Sequence, residues 1–221
     1  MTTAPSPTPL RLEGELDARL SRWLWLVKWM LVIPHAIVLM FLWIAFVALS
    51  VVAFFTILAT GRYPRAIFDF NVGVLRWSWR VGFYSYSALA TDRYPPFTLA
   101  DMSDYPTRLE VEYPHSLSRG LVLVKWWLLA LPHYLIIAVL GSLLSVLVFI
   151  AGVVLLFTGR YPSSMFDLTL GVDRWVHRVA AYAGLMTDAY PPFRLDAGGQ
   201  DPTPDSAAAD AIAPHPVPGL S

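Results

Sequence analysis

No cysteine occurs among the 221 residues, which excludes disulfides, thiol nucleophiles and thiolate metal sites. Charge is scarce as well. Asp, Glu, Lys and Arg make up 14% of the chain, and sixteen cations balance sixteen anions for a formal net charge of zero. Cations spread in balance with acids offer no nucleic-acid surface. Lysine is rarer still, with only Lys28 and Lys125 against fourteen arginines. Catalytic signatures are also missing: there is no G-x-S-x-G elbow, no phosphate-binding loop or dinucleotide glycine pattern, no H-E-x-x-H and no carboxylate pair at an evident cleft. No cofactor, no metal and no enzymatic activity are expected.

What the chain does have is apolar length. Hydrophobic residues fill 56% of positions and mean hydropathy is +0.53, against about 45–50% apolar in soluble domains. From Trp23 to Thr60 the only charged or imidazole side chains are Lys28 and His35; from Leu121 to Thr158 they are Lys125 and His133. About twenty apolar residues suffice to cross a bilayer, so each run could hold two short spans or one long one. The first ten residues are rich in Pro, Ser and Thr, and no small-residue cleavage site follows a short apolar core, so no cleavable signal is expected.

The same series of phrases is written twice, about 97 residues apart. The first copy reads Leu20-Ser21-Arg22, Lys28-Trp29, Pro34-His35, Gly61-Arg62-Tyr63-Pro64, Phe68-Asp69, Gly73-Val74, Arg76-Trp77, Arg80-Val81, Thr91-Asp92 and Tyr94-Pro95-Pro96-Phe97. The second reads Leu117-Ser118-Arg119, Lys125-Trp126, Pro132-His133, Gly159-Arg160-Tyr161-Pro162, Phe166-Asp167, Gly171-Val172, Arg174-Trp175, Arg178-Val179, Thr187-Asp188 and Tyr190-Pro191-Pro192-Phe193. Spacing shifts by one or two residues between copies, as small indels in a duplicated unit would do.

Charge placement bears on topology. With one crossing per copy, eight Lys and Arg fall on each side of a membrane; with a hairpin in each copy all sixteen share one face. The positive-inside rule favours the second arrangement. The expectation is therefore four crossings or two deep re-entrant hairpins with cytoplasmic termini, two crossings being the rival. Gly141-Ser142 offers a turn in the second copy, while Trp43-Ile44 stands there in the first without a turn signal.

The segments after Gly-Arg-Tyr-Pro read as amphipathic helices. On a 3.6-residue wheel Asp69, Gly73, Arg76, Arg80 and Tyr84 form one stripe, and Asp167, Gly171, Arg174, Arg178 and Tyr182 form the same stripe in the second copy. Trp77 and Trp175 sit beside it, a composition suited to an interfacial helix at the headgroup zone or tucked under the hairpins. Arg76, Arg80, Arg174 and Arg178 are candidate ligands for lipid phosphate or a partner, since guanidinium presents forked donors; the alternative is that they pair with Asp69 and Asp167. His35 and His133 are candidate intramembrane polar sites, set against a plain role in satisfying carbonyls freed by the neighbouring prolines. Asp92 and Asp188 suit local turn hydrogen bonds. Short alternating stretches at Arg11–Leu16 and Arg108–Tyr113, with Phe97–Leu99 and 193–195, fit small extramembrane β-ribbons.

The Gly-Arg-Tyr-Pro, Phe-Asp, Gly-Val-X-Arg-Trp, Arg-Val and Thr-Asp-X-Tyr-Pro-Pro-Phe phrases resemble those of a bacterial membrane-protein family known as domain of unknown function 4389. The likeness runs from about Leu12 to Leu195 and covers both copies. It implies membrane residence and supplies no activity and no site residues. The expected molecule is an all-α membrane protein of the bacterial plasma membrane. It comprises disordered residues 1–10, membrane repeats 11–100 and 101–197, and a disordered tail 198–221. Its expected role is that of a non-enzymatic scaffold or accessory protein binding membrane lipids and other membrane proteins. The alternative is a small transporter or channel with its path between the repeats.

Overall fold

The computed structural model describes residues 9–193 and 195. The two terminal segments expected to be disordered lie outside these residues except for Pro9 and Leu10, and Leu10 already belongs to a strand. In chain order the elements are β1 (Leu10–Gly14), α1 (Trp25–Thr60), α2 (Arg65–Tyr84), β2 (Thr107–Val111), α3 (Val122–Thr158) and α4 (Ser163–Ala183). One π-turn, Lys125–Leu129, lies near the start of α3.

Each apolar run is one long helix and not a hairpin. Trp43, Ile44, Gly141 and Ser142 all lie inside helices. A lone mid-helix glycine costs only about 1 kcal/mol, and the Ser142 hydroxyl donates back to Ala138 O at 3.1 Å, so nothing in the run frees backbone groups for a turn. Both helices stop where Gly-Arg-Tyr-Pro begins. Gly61 and Gly159 adopt φ of +73° and +72° and donate their amides to Ile57 O and Leu155 O, the left-handed cap for which glycine is best suited.

α2 returns antiparallel along α1: the Trp43 indole donates to Ser78 Oγ at 3.0 Å and the Asn71 amide to Ser50 Oγ at 3.3 Å. A different side of α2 carries the ribbon. Arg76 Nε donates to Leu109 O at 2.8 Å, Trp79 Nε1 to Glu13 O at 3.0 Å, and Phe83 packs on Gly14. On the helical wheel these residues lie about 80–160° from Ser78 and Asn71. The layer order is thus ribbon, α2 with α4, then α1 with α3.

The strands pair with each other across the repeats, antiparallel, with Leu12 opposite Leu109, Arg11 opposite Glu110 and Glu13 opposite Arg108. The residues 97–99 expected in ribbons form no strand. The halves are exchanged: β1 packs on α4 and β2 on α2. Reciprocal contacts define a pseudo-two-fold axis through the Leu12–Leu109 pair. Arg76 reaches Leu109 O while Arg174 Nε reaches Leu12 O at 3.0 Å; the Tyr63 hydroxyl donates to Gly184 O at 3.1 Å while that of Tyr161 donates to Ala88 O at 2.7 Å. Trp79 and His177, equivalent positions, face each other with ring centroids 5.6 Å apart.

Beneath, α1 and α3 run antiparallel and meet at their ends. Trp25 packs edge-on to Phe149, and a Cβ on Gly152 would come within 3.2 Å of its indole ring. At the other end Val122 is buried in the cluster that includes Ala53 and Ile57, with Phe54 packed against it. Repeat alignment equates Trp25 with Val122 and Gly152 with Phe54. Large on small at one end is therefore balanced by small on large at the other, which conserves volume.

Candidate functional site

Each repeat builds the same polar and aromatic cluster where its apolar helix begins. Lys28 is 1% exposed, and its ammonium donates to Thr91 O at 2.6 Å, pairs with Asp92 at 3.0 Å and lies 4.6 Å from the Tyr84 ring centroid. The Asp92 carboxylate also accepts the Ser21 amide. Lys125, at 0% exposure, repeats this with Thr187 O at 2.9 Å, Asp188 at 2.8 Å and the Tyr182 ring, and Asp188 accepts the Ser118 amide. A buried ammonium needs such a set of partners. These lysines do not snorkel; they pin the Thr-Asp turn to the first helix.

One to two helical turns on, His35 is fully buried in a box of rings. Phe97 stacks on it with centroids 3.9 Å apart, Tyr94 tilts at 4.9 Å, and Trp77 Nε1 donates to its Nδ1 at 3.1 Å. That bond assigns the proton to Nε2, which has no partner among the described residues. The Tyr94 hydroxyl donates to Leu31 O at 3.1 Å, in the turn disturbed by Pro34. His133 stands equally buried among Phe193, Tyr190 and Trp175 at 4.5, 4.9 and 5.5 Å. Here neither imidazole nitrogen nor the Trp175 indole finds a hydrogen-bond partner among the described residues.

The π-turn explains how both clusters keep one geometry. Lys28 and Pro34 are six residues apart, Lys125 and Pro132 seven. An extra residue in an α-helix would turn His133 about 100° away from Lys125. The turn Lys125–Leu129, closed by the Ala130 amide on Lys125 O at 3.0 Å, absorbs it, and Lys125 and His133 are both 0% exposed. π-bulges arise by such single insertions and are retained where the placement of side chains matters.

The paired arginines do something other than expected. Arg76 and Arg174 hold the strand carbonyls described above, and Arg80, 3% exposed, donates to Ala100 O at 3.1 Å and to Thr98 O. Arg178 is equally buried, at 5%. Arg80 and Arg178 are thus enclosed by protein, whereas Arg76 and Arg174 are half-buried. Arg76 and Arg80 do not pair with aspartate: Asp69 pairs with Arg65 at 3.1 Å in the open, and Asp167 is exposed with no ion pair among the described residues. Trp77 and Trp175 are buried rather than at a headgroup zone. Gly73 and Gly171 let this face close: a Cβ would lie 2.8 Å from Leu99 and 2.9 Å from Leu195.

Two functional candidates escaped the sequence reading because they break the repeat. Leu75 and Trp79 of α2 become Asp173 and His177 of α4. Asp173 is 5% exposed, its Oδ2 has no hydrogen-bond partner among the described residues, and burial pushes its pKa up to about 8. His177, whose Nδ1 lies 2.8 Å from Asp173 O, is held down to about 4 by burial. Aligning the copies position by position exposes both substitutions. Among the described residues no group of three His, Asp or Glu side chains is placed to hold a metal ion.

A groove of about 600 Å³ opens between α1 and α3 with α4 as its floor, lined by Trp43, Phe46, Phe54, Trp126, Tyr134 and Val179 among others. Neither His35 nor His133 lines it.

These features define a mostly helical tandem-repeat protein whose halves complete one another and whose two longest helices are apolar and long enough to cross a membrane. It belongs to the family described as Domain of unknown function (DUF4389), which matches residues 22–98 and 122–194 and so both repeats. No curated protein and no solved structure matches the chain.

Proposed function

We propose that this chain is a non-enzymatic scaffold or accessory protein of the bacterial plasma membrane, held by α1 and α3 and associating with anionic lipid and partner membrane proteins. One observation carries the reading. The buried residues of α1, including Lys28, His35, Phe46, Ala53 and Ile57, keep to one stripe of about 80° on the helical wheel. The rest of the circumference displays Leu26, Ile37, Phe41, Ile44, Val51 and Phe55 to the exterior, and α3 does the same with Leu135, Val139, Leu143, Val146 and Phe157. Exposed apolar surface on this scale calls for a lipid or protein cover. The buried lysines and arginines serve as internal ties, which favours a scaffold over a transport path or a reactive centre.

The test is extraction of expressing membranes with alkaline carbonate, followed by mild-detergent purification and identification of what returns with the chain. Retention in the pellet, with anionic lipid and a reproducible set of membrane proteins in the eluate, is the expected result. Release into the supernatant contradicts the reading.

A further inference from the structure

We infer that α1 and α3 do not cross the bilayer but lie flat, side by side, in the acyl layer of the cytoplasmic leaflet. The inference rests on the membrane reading above and adds the posture. Three independent features of the molecule point to it.

The first is where the charged ribbon sits. The pseudo-two-fold axis passes through Leu12–Leu109 and the Trp79–His177 contact, and meets α1 near residue 39, about midway between its end contacts at Trp25 and Ala53. The ribbon therefore lies over the middle of the long helices, equally far from both ends. Its outer face exposes Arg11, Glu13, Arg108 and Glu110. If α1 crossed a bilayer, these four charges would sit near the midplane, where they are strongly disfavoured. If α1 lies flat, they point straight into water.

The second is length. At 36 and 37 residues the helices extend about 54 Å, against about 30 Å of hydrocarbon. Spanning would need a tilt of about 56°, beyond the usual range of about 0–40°.

The third is the pattern of charge around the apolar layer. Arg22 lies against Gly159 at the end of α3, and Arg119 lies near Gly61 at the end of α1. With Arg62 and Arg160 they place two exposed guanidinium groups at each end of the layer. Such a rim complements lipid phosphates at both ends at once, which suits a single headgroup plane. A leaflet also covers what a flat protein face cannot, because the arc outside the buried stripe exceeds half the circumference of each helix.

The chain has no native cysteine, so single replacements report cleanly. Arg19→Cys, Arg62→Cys and Glu110→Cys, all at exposed positions, are to be probed with a membrane-impermeant maleimide in right-side-out and inverted vesicles, beside Ile44→Cys in mid-α1. The expected result is that the first three label only in inverted vesicles and Ile44→Cys in neither. Labelling of Arg19→Cys and Arg62→Cys from opposite faces overturns the posture and leaves the membrane reading intact. Disulfide cross-linking of Ile44→Cys between two chains assigns the face to a second copy and also overturns it. Carbonate release of all four variants, with labelling throughout, overturns the membrane reading and the posture together.

Discussion

Trp77 and Trp175 occupy the same place in the two repeats, yet only one indole is bonded. Trp77 Nε1 donates to His35, whereas Trp175 Nε1 has no partner among the described residues. Trp77→Phe is expected to cost about 1–2 kcal/mol more than Trp175→Phe, the worth of a buried hydrogen bond plus the acceptor left behind, as read by thermal unfolding in detergent. The Lys–Asp ties are a second case. Asp92→Asn leaves the Lys28 ammonium buried at 1% exposure with a neutral partner, and about 2–3 kcal/mol of destabilisation is expected, less than for a fully enclosed pair because Asp92 is 24% exposed. Asp173 gives a pH signature. Its pKa of about 8 is above that of an unfolded aspartate, so from pH 7 to pH 8 the folded state holds a proton that the unfolded state lacks. Stability falls as pH rises through that window, by about 1 kcal/mol. His177, held near 4, is largely neutral in both states there and contributes little. Asp173→Asn is expected to flatten the profile, and Asp173→Leu, the residue of the first repeat, to raise the unfolding midpoint at pH 8.

The elements were legible in the sequence wherever a residue dictates backbone geometry. Gly61 and Gly159 end their helices where the left-handed cap is needed, and the alternating Arg11–Leu16 and Arg108–Tyr113 stretches overlap β1 and β2, each of which starts one residue earlier. The number of turns within the apolar runs was not legible, because Gly141-Ser142 signals a turn only if tertiary packing rewards one. Folding back is favoured by the positive-inside rule because it puts every cation on one side. A helix lying flat satisfies that condition without a turn, and a count of charges cannot tell the two apart. The π-turn was half legible: the extra residue between Lys125 and Pro132 is plain, its structural form is not. Deleting Trp127 is expected to convert the turn to α-helix with the fold and Lys125 burial kept, and the unfolding midpoint moved by only a few degrees. Deleting Leu143 instead rotates Val148, Ala151 and Leu155 by about 100° away from their cluster and is expected to abolish the folded state. Circular dichroism melts of the two deletions provide the comparison.

At the scale of the molecule, nearly every repeated phrase resolves into a contact. Leu-Ser-Arg gives an amide to the Thr-Asp carboxylate, Gly-Arg-Tyr-Pro sends a tyrosine hydroxyl to the other repeat, and Tyr-Pro-Pro-Phe closes over the histidine. What repetition in the sequence could not reveal is the exchange of halves, since each phrase looks alike whether its partner lies in its own copy or the other. The arginine stripe illustrates this. Arg76 and Arg174 look like surface cations on a wheel drawn for one helix, and become internal ties only once the strand of the opposite repeat lies on them. Because all four helices lie in two parallel layers beneath the ribbon, one bulk property reports the posture of the whole. Polarised infrared spectroscopy of the chain in aligned bilayers measures the mean angle between helix axes and the membrane normal. Amide I dichroism corresponding to axes in the plane of the membrane is the predicted result; dichroism corresponding to axes along the normal would contradict it.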